Sequence, residues 1–172
     1  GKQLLENGST TFQFIDKDGR GYIDSLNFKV NDKLVKWVYH PDYIDVCALI
    51  LNKKLAPKER ITISTPFRVK IPAAGISRLG HEGNSYQITQ WYPKPAVFDK
   101  DGWHAMPYLN QGEFYSEFGT FDVRISVPKN YVIGATGELK TKSEIDFLSE
   151  RANYSASTPL DEITFDSISS NE

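Results

Sequence analysis

The chain has 172 residues, 40% hydrophobic and 24% charged, with a formal net charge of −2. That suits one globular domain with a real core and excludes a disordered chain. Charges of both signs are mixed throughout, with no basic face for nucleic acid, and no run approaches the ~18 apolar residues of a membrane-spanning helix.

In chain order, Lys2 to Asn7 reads as the tail of a helix closed by Gly8. Leu26, Phe28 and Val30 then alternate with polar residues, as do Val35, Trp37 and Tyr39. This period of two predicts strands, and Asn31-Asp32-Lys33 between them has hairpin-turn chemistry. Val46 to Leu51 is a short apolar run that holds the single cysteine, Cys47, expected to be buried and inert. Ile61 to Ile71 is the clearest strand, and Pro66 within it predicts an edge or a bulge. Phe121, Val123, Ile125 and Val127 alternate as a further strand, and Pro128-Lys129-Asn130 turns the chain into Tyr131 to Ala135. The interior helix is expected to start with a capping box at Ser143, with Asp146 as its partner, and to end near Ala152. Asn153 to Pro159 reads as a loop and Ile163-Thr164-Phe165 as a last strand. The fold class is all-β and mainly antiparallel: a β-sandwich or saddle of curved sheets with one short helix. A chain that begins in a helix tail and stops without a closing element reads as one domain, residues 1–172, cut at both ends.

The candidate chemistry is sparse. Asp16 to Asp24 starts like a calcium loop, but Arg20 stands at the fifth position and Asn27 where a bidentate Glu is needed. Asp18-Gly19 is better read as a hairpin turn. His81-Glu82 begins like His-Glu-x-x-His, but Ser85 replaces the second imidazole, so 80–83 reads as an ordered loop with no metal. His40 and His104 lie far off in loop-like stretches, and Cys47 has no local histidine to activate it. The most distinctive stretch is Gln87 to Pro95, where two neutral amides stand beside Trp91 and Tyr92, and Pro93 and Pro95 pin an extended backbone. The amides either satisfy backbone groups at a strand end or present acceptors to a ligand cation.

Several stretches together resemble the N-terminal domain of the M1 (gluzincin) zinc aminopeptidases, in their Bacteroidetes-like bacterial form. They are Gln87 to Asp99, Gly102-Trp103-His104, Tyr108-Leu109, Gly112 to Gly119, Phe121-Asp122-Val123 and Pro128 to Gly137. The resemblance implies a saddle-shaped, non-catalytic domain that covers the cleft of a following thermolysin-like domain. That following domain would carry the zinc, two histidines and a glutamate as ligands, the His-Glu-x-x-His motif and a Gly-x-Met-x-Asn loop, none of which occurs here. It implies that the longer protein releases N-terminal residues from peptides, and that this domain lends one Glu or Gln to the substrate's α-amine. The matching residues are Gln90 and Gln87; Lys94 favours the first alignment and Asp99 the second. The implied partners are the catalytic domain and the peptide N-terminus, with no metal site and no membrane segment in this chain. Export to a Gram-negative envelope is what the resemblance suggests for its location. The competing reading is a free-standing β-sandwich that binds carbohydrate or protein, with Trp91, Tyr92 and Trp103 on a flat exposed face.

Overall fold

In a computed structural model that describes residues 5–8, 10, 13–75, 77–109, 112 and 114–163, the chain is mainly antiparallel β with one helix, and no barrel closes. It clusters into two units, 1–119 and 120–172.

Among the described residues, the strands all lie in the first unit. After a 3-10 turn at Lys17–Gly19 come β1 (Tyr22–Asp24), β2 (Lys29–Val30), β3 (Lys33–Leu34), β4 (Lys36–Tyr39), β5 (Cys47–Ile50) and β6 (Ile63–Ser64). They are followed by β7 (Arg68–Lys70), β8 (Gly80–Glu82), β9 (Ser85–Gln87), β10 (Val97–Asp99) and β11 (Gly102–His104). The sheets are small: β1 with β7, β3-β2-β6, β4 with β5, β8 with β9, and β10 with β11.

Turn chemistry sets their register. Asn31 and Asp32, at φ 47° and 62°, form the two-residue left-handed turn that matches strand twist, so Val30 faces Lys33. Asn31 is held a second way. Its N–H donates to Thr62 O at 2.9 Å, and its Oδ1 accepts the Thr62 N–H at 2.9 Å. The expected hairpin is therefore present and is locked onto β6.

The long strand expected at 61–71 is two strands. Pro66 has no N–H to give a ladder, and the chain there leaves the β2 partnership of β6 for the β1 partnership of β7. Thr65 secures the switch: its Oγ1 accepts the Asn27 N–H at 2.8 Å and donates to Pro66 O at 2.8 Å.

The alternation at Leu26, Phe28 and Val30 is real, because these residues are less exposed than their neighbours. Among the described residues Phe28 and Val97 are the buried hydrophobic ones, each 5% exposed. Phe28 meets Trp37 edge-on at 5.5 Å, and Trp37 meets Tyr39 at 5.0 Å.

Several expectations need correction. Asp18-Gly19 lies in the 3-10 turn and not in a hairpin, because β1 pairs with β7. Its surroundings are cationic: Arg20 Nε and Nη2 donate to Ile15 O, and Lys70 Nζ donates to Asp18 O. Residues 80–82 are a strand and not a loop, since Gly83, at φ 54°, turns them directly into β9. Cys47 is half-buried, and burial pushes its thiol pKa up, which keeps it unreactive. Gly8, at φ 79°, closes a turn to Leu5 O as expected, although residues 2–4 lie outside the described set.

In the second unit, residues 121–127 and 131–135 enter no ladder among the described residues, although the Pro128 turn forms, with Tyr131 N–H on Pro128 O at 3.0 Å. Alternation marks a chain fit for a sheet, but a strand exists only once a neighbour pairs with it. Helix α1 (Lys142–Ser157) starts earlier and ends later than the sequence rules place it: its N-cap is Thr141, two residues before Ser143, and it runs five residues past Ala152. Thr141-x-x-Glu144 is itself a capping-box pattern, but its side-chain bond is not made. The expected loop from Asn153 is helical through Ser157, whose Oγ bonds Asn153 O at 2.8 Å before Pro159 stops the helix. The strand expected at 163–165 lies, beyond Ile163, outside the described residues.

If Asn31 pins register, Asn31→Ala should destabilise the chain by about 1–2 kcal/mol through backbone strain and a lost bond. Asn31→Gly, which tolerates the backbone, should cost only the bond. Thermal unfolding of the two variants checks that order; equal midpoints would contradict it.

Candidate functional site

Gln87 is the last residue of β9, and Gln90 follows after Ile88 and Thr89. Both line one cavity of about 660 Å³, within the range usual for small-ligand sites. The two residues singled out from the sequence are therefore brought together.

Gln90 has φ 49°, a left-handed backbone that costs a residue with a Cβ about 1–2 kcal/mol. Its neighbours hold it there. Trp91 packs against Phe67 at 5.9 Å and edge-on to Tyr92 at 5.4 Å, and Pro93 fixes the chain just beyond. Strain held by surrounding packing is a feature of functional sites. Among the described residues neither glutamine amide is engaged in a side-chain hydrogen bond.

The rest of the wall comes from segments that the sequence gave no reason to join. Gly75, Ser77 and Arg78 precede β8; Met106 to Leu109 follow β11; Gly112 and Phe114 complete the lining. Ser77 Oγ and Tyr108 Oη lie 3.4 Å apart, so two parts of the wall touch. Lys94 Nζ sits 4.2 Å from the Phe114 ring centroid, a cation–π contact behind the apolar wall. The cavity thus combines two amide acceptors, a guanidinium, two hydroxyls and an apolar side. Tyr108-Leu109 was visible as part of the family-like stretch, but no spacing rule ties it to Gln87 or Ser77.

The histidines do other things. His40 stacks on Tyr43 at 4.5 Å, and its Nδ1 accepts the Asp42 N–H. His81 stacks on Tyr86 at 5.4 Å. His104 Nε2 lies 2.8 Å from Asp99 Oδ1. The His104 contact, followed by the Asp101 N–H, holds the Asp99 carboxyl below its usual range. Among the described residues no three His, Cys, Asp and Glu side chains gather as a metal-binding set. No helix among them is long and apolar enough to cross a membrane.

The aromatic residues do not form one flat platform. The Trp91 and Tyr92 rings are 74° apart, while Trp103, 69% exposed, tilts 55° against Phe98, 64% exposed.

No family model, curated protein or solved structure matches the chain.

The strained backbone separates the amide's role from the fold's. Gln90→Gly should leave stability unchanged or raise it by up to about 1 kcal/mol, because glycine accepts positive φ. Gln90→Ala should keep the strain and gain nothing. Chemical denaturation of both variants measures this, and a marked loss of stability in Gln90→Gly would show that the side chain holds the fold.

Proposed function

We propose that this chain is the non-catalytic N-terminal domain of an M1-type zinc aminopeptidase, and that one of Gln87 and Gln90 binds the free α-amine of the peptide substrate. The zinc chemistry belongs to a catalytic domain that follows, and this chain supplies part of the wall that recognises the peptide's end. The observation that carries the reading is the convergence of both glutamines on one cavity, with Gln90 held in a strained backbone.

The chemistry is consistent with that role. An α-amine, with a pKa near 8, is largely an ammonium at neutral pH and needs acceptors once water is removed. An amide oxygen accepts its N–H groups at a smaller desolvation cost than a carboxylate. Arg78 lines the same cavity, so the binding must come from directed hydrogen bonds and not from a negative field. The resemblance carried by residues 87–99 and 102–104 supplies the reaction class.

The test is kinetic, in the full-length gene product with leucine p-nitroanilide. Replacing the engaged glutamine, Gln87→Ala or Gln90→Ala, should raise KM about tenfold or more, the worth of a lost charge-assisted hydrogen bond. The matching Gln→Glu change should bind the ammonium at least as well. Unchanged KM in both alanine variants would remove the α-amine role.

The exposed Phe98–Trp103 pair favours a second reading, a binding module that stacks rings on sugars. That reading requires the isolated chain to bind soluble glycans and to lose binding in Trp103→Ala.

A further inference from the structure

We infer that Asp45 is a positioning residue for the cavity: its carboxylate fixes the Met106–Leu109 wall in place. The inference rests on the proposed site for its functional consequence, but its geometry stands independently.

Asp45 Oδ2 accepts a short hydrogen bond from the backbone N–H of Tyr108, 63 residues away in sequence. Tyr108 lines the cavity with Met106, Pro107 and Leu109 on either side of it. Residues 105–109 belong to no strand, and Pro107 has no N–H to offer. The Tyr108 N–H is thus the point at which this irregular wall can be grasped next to Pro107. A carboxylate acceptor makes the grip stronger than a neutral one would.

The loop that carries Asp45 is braced, although the residue itself is exposed. Asp45 lies in the connection between β4 and β5, closed by His40 N–H on Val46 O at 2.8 Å and by Val46 N–H on Tyr43 O at 3.1 Å. The stacked His40 and Tyr43 rings brace the same loop. On the other side, the Tyr108 hydroxyl lies 3.4 Å from Ser77 Oγ. Tyr108 is therefore fixed through its backbone by the β4–β5 connection and contacted through its ring by the segment before β8. A binding wall set before the ligand arrives avoids an ordering cost on binding.

Two readouts test this. Amide hydrogen exchange in the chain reads the clamp directly. Asp45→Ala should speed exchange at Tyr108 about tenfold or more, while Asp45→Asn, which keeps an acceptor, should stay near the parent rate. The Val38 and Ala48 amides, which face each other as a hydrogen-bonded pair of β4 and β5, serve as the folding control, and Asp45→Lys replaces Asp45→Ala should that variant lose their protection. In the full-length gene product, Asp45→Ala should raise KM for leucine p-nitroanilide severalfold with kcat little changed, and Asp45→Asn should restore it.

Unchanged Tyr108 exchange in the acceptor-free variants overturns the clamp. Loss of the β4–β5 ladder in every acceptor-free variant also overturns it, since Asp45 would then hold the fold and not the wall. Faster exchange with unchanged KM in an active enzyme overturns the positioning role. A gene product with no aminopeptidase activity counts against the proposed function, and the exchange arm then decides the clamp alone.

Discussion

Backbone pairing within small sheets, closed by residues in left-handed conformations, carries this fold. Phe28 and Val97 are buried, while large side chains such as Ile44, Trp103 and Tyr108 remain exposed. Burial therefore contributes less here than in a domain with one deep core, and register must be fixed locally. Asn31 and Asp32 fix it between β2 and β3, Gly83 between β8 and β9, and Gly102, at φ 102°, as β11 begins. Side-chain bonds then tie one small sheet element to the next, as Asn31 does with Thr62 and Thr65 with Asn27.

The cavity is built in the same way. Its walls are the irregular segments beside β8, β9 and β11, and they meet through single contacts: Ser77 with Tyr108, and Asp45 with the Tyr108 N–H. Such a wall is defined by few interactions, so one substitution can loosen it without unfolding a strand. Gln90 is the clearest case of a local conflict. Its backbone would suit glycine, yet a long polar side chain occupies the position and lines the cavity. Sequences that break a local rule at one point usually do so where function requires it.

How much could be read in advance follows from which forces are local. The antiparallel class, the Asn31-Asp32 turn, the break at Pro66 and the turn at Pro128 rest on neighbouring residues, and all are present. The strand expected at 121–127 depends on a partner that alternation cannot name, and no ladder forms there among the described residues. Helix α1 extends beyond its expected C-terminus to Ser157, through residues whose Ser/Asn-rich composition reads locally as a loop. Gln87 and Gln90 stood out through their setting beside Trp91, Tyr92 and two prolines. Asp45 did not, and nothing tied Ser77 or Tyr108 to them, because only tertiary structure joins residues so far apart in sequence.

The central claim is that this chain recognises a peptide's N-terminus while another domain performs the chemistry. Hydrolysis of leucine p-nitroanilide, measured on this chain and on the full-length gene product with and without a zinc chelator, tests it most directly. The account predicts no turnover by the chain and chelator-sensitive turnover by the full-length protein. Turnover by the chain alone, or silence of the full-length protein with zinc supplied, would contradict it.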